Sequence, residues 1–225
     1  SGFFGVGKGK DVPDHPGVEQ LRLICYLVPS NGYFREIRGD VSHLPYMMQW
    51  GSIILEEDEV LLVSQEFYLF KMPRAWCKYF AVGWPIKLED LLGNSRARDV
   101  CRRLAKDGNL AGLGDLVLQV LPMGWKSAVG IMQAVHRMIL SSFLAAEKRL
   151  PSSAEIRKTL PMPTSPDQRT LKGWQVYLDN YASMMIVKLR EAAKLEGQAS
   201  DWHKKTRAVW AVSYTHLTLP TNDLV

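Results

Sequence analysis

The sequence predicts an α+β fold. Strand-like apolar runs bounded by turn residues lie in the first third of the chain, a helical periodicity lies in the middle, and a strand-turn-strand pattern follows it. The chain has 225 residues, of which 47% are hydrophobic and 23% charged. That length and balance are typical of a globular protein that can bury a core.

The first third contains the predicted strands. Residues 2–17 are rich in Gly and Pro and predict a loop. Residues 21–29, LRLICYLVP, predict a strand that ends in a turn over residues 29–32. Residues 51–70 hold two apolar runs around the acidic turn 56–59, and this pattern predicts a β-hairpin.

The middle and the end contain the predicted helices. Residues 86–115 mix charged helical stretches with glycines, and residues 126–150 predict a long helix that Pro151 ends. Four prolines in residues 151–168 predict an irregular connection. Residues 174–181, WQVYLDNY, predict strand, turn and strand, and residues 182–196 predict a second helix capped by Gly197.

Composition narrows the class of protein. The excess of Lys and Arg over Asp and Glu, 28 against 23, fits a polyanionic partner as well as many ordinary proteins. Three widely spaced cysteines favour neither a disulfide framework nor a zinc site, so we expect an intracellular protein, cytoplasmic or nuclear. No apolar run reaches about 18 residues, which predicts no membrane partner.

The last 14 residues, 212–225, have a separate origin in our interpretation. The run VSYTHLTLPT resembles the translation of a sequencing-library adapter. The alternative is a Thr-rich strand ended by Pro220. We expect the natural sequence to depart after Ala211 and leave this tail out of the fold prediction.

Two candidate sites follow from local pattern. Asp179 lies at a predicted hairpin tip between apolar strand residues, where a carboxylate can hold a metal against a phosphate. Asp-Asn is also a common turn pair, and that alternative stays open. Before the long helix, Pro122 and Gly124 shape a loop and Ser127 can cap the helix, so backbone N–H groups there could face a phosphate. An ordinary strand-to-helix turn is the alternative.

A third candidate is cationic. Arg22 lies on the predicted strand that follows a Gly-rich segment containing Lys8 and Lys10. Such cations can bind a triphosphate electrostatically. They can equally lie on a solvated face.

Taken in order, these pieces resemble one family, the reverse transcriptases of retroelements, and within it the protist type. Leu-Arg-Leu-Ile at 21–24 with Leu27-x-Pro29-x-Asn31 resembles the fingers motif. LPMGW-x-S at 121–127, with Gln133 nine residues after Gly124, resembles the loop and helix at the incoming nucleotide and template. Tyr-Leu-Asp-Asn at 177–180 resembles the Tyr-x-Asp-Asp hairpin of the palm. The resemblance covers about residues 5–205.

The resemblance implies a polymerase fingers and palm, with a ferredoxin-like antiparallel palm sheet backed by two helices. The implied segments are a fingers-like part at 1–50, the first palm strands at 51–70, a fingers or connecting segment at 71–115, the palm with pocket loop, long helix and YLDN hairpin at 116–211, and the adapter-derived tail at 212–225.

The resemblance also implies a chemistry, which is RNA-directed DNA synthesis with Mg²⁺ as cofactor. The implied partners are an RNA template, a DNA primer and dNTPs, and no protein partner is implied. Two metal ions would be held by two carboxylates. The implied roles are metal ligand for Asp179 and catalytic hairpin residue for Asn180, triphosphate binding for Arg22, Lys8 and Lys10, the nucleotide and template pocket for Gly124 and Gln133, and packing beside the primer end for Tyr177.

Two departures from the family pattern concern the carboxylates. The first palm Asp is expected five residues before an aromatic, which is Leu62 or Val63 here, and neither is Asp. Glu66 abuts the aromatics in a different register, Asp58 lies in the acidic turn, and the join at residues 65–67 suggests a loss of several residues. Asn180 replaces the second hairpin carboxylate. We therefore expect a degenerate or incomplete copy with low or no activity.

Three classes of function remain at this point. They are the reverse-transcriptase-like fragment, a catalytically inactive nucleic-acid-binding protein with a palm fold, and an unrelated α+β domain. The first two require Asp179 on a hairpin tip that faces the start of the helix over residues 126–150 and the strand ending near Phe67. A structure that separates these features leaves only the third.

Overall fold

The computed structural model of the chain describes most residues from 2 to 207. The described residues are 2–12, 15–67, 70–93, 98, 101, 112–122, 124–141, 149–163, 172–195, 201–202 and 204–207. The tail at 212–225 and the predicted cap Gly197 lie outside them.

The chain forms two compact units, each built from two separate stretches of sequence. Unit 1 comprises the described residues of Ser1–Arg35 and Lys71–Trp125, and unit 2 those of Glu36–Phe70 and Lys126–Leu219. The chain thus passes from one unit to the other and back. The functional segments that the resemblance implies also alternate, and their boundaries stay a prediction.

Unit 2 contains a three-stranded antiparallel sheet. Its strands are β3 (Glu59–Phe67), β6 (Lys172–Tyr177) and β7 (Asn180–Lys188), in the order β3-β7-β6. The central strand is largely buried, with Tyr181 and Met184 at 0% and 2% exposure. Beside β6, a parallel bridge joins Glu155 to Trp174.

Two helices belong to the same unit, α3 (Ala128–Ser141) and α4 (Leu189–Leu195). Before α3, the Ser127 hydroxyl accepts a hydrogen bond from the Ile37 amide at 2.9 Å. Gly130 then meets the backbone of residues 38–39, where a Cβ on Gly130 would come within 1.9 Å of the Arg38 carbonyl oxygen. Only glycine permits so close an approach of two backbones.

Unit 1 contains two antiparallel ribbons and two short helices. The ribbons pair β1 (Gly2–Val12) with β2 (His15–Tyr26) and β4 (Ala81–Lys87) with β5 (Leu113–Val117). The helices are the single turns α1 (Val28–Asn31) and α2 (Arg74–Cys77). The core of this unit is an aromatic cluster of Phe34, Trp76, Phe80 and Trp125, whose contacting ring centroids lie 5.2–6.1 Å apart.

Short 3₁₀ turns complete the described secondary structure. They span Val41–His43, Met47–Ser52, Lys78–Phe80, Leu88–Leu91 and Ser152–Ala154. The predicted α+β class is confirmed, since small antiparallel sheets and helices occur together. No helix in the described part of the chain is both long and apolar enough to span a membrane.

The N-terminal loop prediction was wrong, because residues 2–12 form β1. Glycine is depleted in strands, which is why its abundance here suggested a loop. In the ribbon, two of the glycines leave room for side chains of β2. A Cβ at Gly5 would meet Leu21 at 3.0 Å, and one at Gly7 would meet the Glu19 carboxylate at 2.1 Å.

The hairpin predicted over residues 51–70 was also wrong. Residues 51–52 end a 3₁₀ turn, and among the described residues of this range the one paired strand is β3, with β7 as its partner. A β-strand takes the partner that buries its apolar face, and here that partner is more than 100 residues away. The local pattern could not show this.

The predicted helix over residues 182–196 is strand for most of its length. Residues 182–188 belong to β7, and α4 begins at Leu189. A central strand buried on both faces has an almost continuous apolar run, which resembles a buried helix in sequence. The long helix is shorter than its predicted span of 126–150, because Arg149 and Leu150 are not helical and the Leu150 amide bonds the Leu140 carbonyl at 2.8 Å.

Candidate functional site

The hairpin between β6 and β7 presents the tetrapeptide Tyr-Leu-Asp-Asn. Tyr177 ends β6, Asn180 begins β7 and pairs with it, and Leu178 and Asp179 form the two-residue turn. Strand, turn and strand are thus as predicted for residues 174–181. Asp179 lies half-buried at the tip, and Tyr177 is 51% exposed beside it.

The turn carries backbone strain at its first residue. Leu178 has φ 58°, the only positive φ of a non-glycine residue in the described chain. A positive φ at the first position of a two-residue loop is normally taken by glycine. Holding leucine there costs on the order of 1 kcal/mol, so other contacts must fix the turn.

Two buried side chains of α3 bind the backbone of this hairpin. Gln133 donates from Nε2 to the Val176 carbonyl at 2.9 Å and accepts from the Leu178 amide at Oε1 at 3.0 Å. His136 donates from Nδ1 to the Leu178 carbonyl at 2.9 Å. Both polar groups of the strained residue are therefore held by α3.

His136 is neutral in this environment. Burial lowers the pKa of its imidazole to about 4, although the hydrogen bond to Leu178 acts in the other direction. Because a carbonyl oxygen can only accept, Nδ1 carries the proton of the neutral ring. The ring also packs edge-on against Phe70, with centroids 5.6 Å apart. His136 thus contacts both the hairpin and the chain that follows β3.

The end of β3 meets the hairpin. In the ladder, Glu66 pairs with Tyr181 and Phe67 with Asn180. The described geometry meets the requirement stated for Asp179 at the end of β3, whereas the hairpin contacts α3 at its middle, through Gln133 and His136, rather than at its start.

The register also locates the positions considered for the missing carboxylate. Leu62 and Val63 pair with Met185 and Met184, and Met184 is four residues from Asn180 along β7, or about 13 Å. Asp58 lies at the other end of β3, where Lys188 binds it at 2.7 Å and lowers its pKa. Neither Val63 nor Asp58 is near the hairpin tip. Position 67 is opposite Asn180.

The resemblance implies two Mg²⁺ ions, which would need carboxylate or other polar side chains as ligands at the hairpin tip. Within the described residues, no three side chains of His, Cys, Asp and Glu are grouped closely enough to hold a metal. The tip itself offers one carboxylate and one amide, and the Oδ1 atom of Asn180 is buried without a partner among the described residues. Two ions normally need at least two shared carboxylates. The described residues do not fit a two-metal site.

The other predicted site residues lie in unit 1. Lys8 and Lys10 are exposed on β1, and Arg22 lies on β2 opposite Val6. Gly124 has φ 122°, and its carbonyl accepts a hydrogen bond from the Asn31 side chain at 2.8 Å. A Cβ at Gly124 would meet the Cys25 carbonyl oxygen at 2.9 Å. The glycine is therefore required for packing, and its role at a nucleotide stays a prediction.

Gln133 has a different environment from the one its predicted role suggests. Its side chain is 1% exposed, and both ends of its amide bond the hairpin. Its role in the nucleotide and template pocket stays a prediction.

His136 was missed in the sequence. Its signal was a second polar residue three positions after Gln133, on the apolar face of the helix, because a three-residue spacing places both side chains on one face.

Neither a protein-family model, nor a curated protein, nor a solved structure matches this chain. The site geometry and the motif resemblance are therefore the basis for any functional conclusion.

Proposed function

We propose that this chain is the fingers and palm part of a reverse-transcriptase-like polymerase, in a degenerate copy with low or no nucleotidyl-transfer activity. The observation that carries the proposal is the juxtaposition at the YLDN tip. The hairpin with Asp179 pairs through Asn180 with the end of β3 and rests on α3. That is the arrangement expected of a palm.

The finer description of the fold belongs to this proposal. The sheet β3-β7-β6 would be the core of a ferredoxin-like palm, with α3 and α4 as its two helices, and unit 1 would supply the fingers. Its ancestral substrates would be an RNA template, a DNA primer and dNTPs. Arg22, Lys8 and Lys10 would bind the triphosphate, and Tyr177 would pack beside the primer end.

The number of carboxylates at the hairpin tip supports the proposed loss of activity. The implied chemistry uses Mg²⁺ to activate the primer hydroxyl and to stabilise the leaving pyrophosphate. One carboxylate at the tip, with a neutral Asn180 beside it, is a weaker donor set than two carboxylates. We propose no catalytic step through the metals in this chain.

Primer extension by the full chain tests the activity half of the proposal. With Mg²⁺, dNTPs and an RNA template annealed to a DNA primer, we expect no extension above background, and no difference between the wild type and Asp179→Ala. Robust extension that Asp179→Ala abolishes would contradict the loss of turnover and would leave the palm assignment intact.

The second candidate is a nucleic-acid-binding protein that uses the palm scaffold without catalysis. The formal charge of +5 and the exposed Lys8 and Lys10 favour it. Binding through phosphate contacts weakens steeply as salt rises. RNA affinity that falls by orders of magnitude between low and physiological salt, in a chain that shows no extension, would select this candidate.

A further inference from the structure

The strained turn of the YLDN hairpin needs an explanation within the fold. Leu178 is 9% exposed and has φ 58°, although nothing in a two-residue loop favours leucine in that conformation. Its amide and its carbonyl are each bound by a side chain of α3, at 3.0 Å and 2.9 Å. Backbone groups of a turn at a hairpin tip normally face water.

The two side chains that bind Leu178 are costly to bury. Gln133 and His136 are 1% and 0% exposed and lie in a helix face made otherwise of apolar residues such as Met132, Val135 and Ile139. Apolar residues at both positions would leave the amide and the carbonyl of the buried Leu178 without these partners. Gln133 and His136 fix the position of the turn, because their hydrogen bonds are formed in only one arrangement of it.

We propose that Gln133 and His136 are positioning residues that hold the YLDN turn, and with it Asp179, against the end of β3. Their purpose in nucleotidyl transfer rests on the proposed function, whereas the positioning itself is a property of unit 2. His136 extends the effect to β3, because the same ring that bonds Leu178 packs on Phe70, three residues after the end of β3.

Amide hydrogen exchange at the hairpin, measured on the full chain, tests the proposal. Gln133→Met removes both amide hydrogen bonds at nearly constant volume, and His136→Leu removes the bond to Leu178. We expect each variant to raise the exchange rates of residues 178–180 by about tenfold or more relative to the amides of β3, the size of effect that a lost buried hydrogen bond produces.

Two further variants serve as controls. Val135→Ala removes buried methyl groups from the same helix at a residue that is 8% exposed, so it lowers global stability without removing a bond to the hairpin. His136→Asn keeps a side-chain N–H near the position of Nδ1 and should restore much of the protection. A role in packing alone would make Val135→Ala and His136→Leu equivalent at the hairpin.

Equal changes at the hairpin and across β3 in all variants would overturn the proposal. If Gln133→Met and His136→Leu do not fold, the wild type decides, because the Leu178 amide must then exchange as slowly as the paired amides of β6. Rapid exchange of Leu178 in the wild type would also overturn it. Neither metal binding nor primer extension enters this experiment, so its failure is distinguishable from failure of the proposed function.

Discussion

In unit 2 the strands β6 and β7 are buried, and side chains of α3 bond β6 and the turn between the two strands, whereas in unit 1 the ribbon β1-β2 is largely exposed. Trp174 and Tyr181 are both 0% exposed, but Phe4 and Leu21 on the ribbon are 49% and 61% exposed. Two-stranded ribbons are marginal by themselves. The turn that carries Asp179 is therefore held by the bonds of Leu178 to α3, whereas the predicted triphosphate-binding cations lie on a strand pair held mainly by its own ladder.

Removing an ion pair should cost more free energy of unfolding in unit 2 than in unit 1, and we expect this to be the largest difference between the two units. Arg137 in unit 2 is 13% exposed and pairs with Asp40 and with Glu155, which is 3% exposed. These carboxylates raise the pKa of the guanidinium even though its burial acts against them. We expect Arg137→Ala to cost about 3 kcal/mol of unfolding free energy, because the buried Glu155 then keeps only the longer ion pair with Arg157 at 3.9 Å.

Lys87→Ala is the matched change in unit 1. Lys87 and Glu89 are 61% and 52% exposed, at 3.4 Å, and losing such a pair costs about 0–1 kcal/mol. Urea denaturation of both variants measures the difference. Equal losses would show that the two units do not differ in the burial of their charges.

Acid should destabilise unit 2 through His136. Its pKa is about 4 in the folded chain and 6.5 in the unfolded chain, so between these values the unfolded state binds a proton that the folded state does not. The contribution of the neutral His136 to the free energy of unfolding is therefore complete above pH 6.5 and decreases as the pH falls towards 4. The total loss should be about 3 kcal/mol. Comparing the pH dependence of the wild type with that of His136→Asn isolates this proton from those of the carboxylates. An unchanged slope in the variant would be evidence against a buried neutral imidazole.

Replacing a glycine should give a smaller difference in unfolding free energy between the two units. A Cβ at Gly130 in unit 2 would come within 1.9 Å of the Arg38 carbonyl oxygen, whereas a Cβ at Gly2 in unit 1 would meet nothing within 4 Å. We expect Gly130→Ala to cost about 1–3 kcal/mol through displacement of residues 38–39. Gly2→Ala should change the free energy by less than about 0.5 kcal/mol. Thermal or urea melts of the two variants check this, and a harmless Gly130→Ala would contradict the close approach of the two backbones.

The sequence could predict the features that depend on residues close together in the chain, but not those that depend on contacts between distant segments. The YLDN hairpin was predictable because two apolar runs and a two-residue turn are local features. The identity of residues 182–188 as strand was not, because β7 is extended by its partners β3 and β6 rather than by its own composition. The bonds from Gln133 and His136 to the hairpin needed the packing of α3 on the sheet, which no spacing in the sequence specifies.

The position of the first palm carboxylate, which the resemblance implies, also could not be located from the sequence alone. Spacing to the aromatic residues pointed to Leu62 or Val63, and the register instead makes position 67 the one opposite Asn180. A count along the chain is misleading wherever residues have been lost, whereas strand pairing depends on the side chains and hydrogen bonds that remain. The gap predicted at residues 65–67 lies at the end of β3 that meets the hairpin.

Manganese binding by Phe67→Asp tests the central proposal most directly, namely that the tip and the end of β3 correspond to the two sides of a palm metal site that has lost a carboxylate. The side chain of position 67 would lie about 5 Å from that of Asn180 across the ladder, and Asn180 directly follows Asp179 in the chain. Val63→Asp is the control, on the same face of the same strand and 39% exposed. We predict that Phe67→Asp binds Mn²⁺ at least about tenfold more tightly than the wild type. The gain should require Asp179 and be absent in Val63→Asp. A folded Phe67→Asp without this gain, or an equal gain in Val63→Asp, would contradict the account.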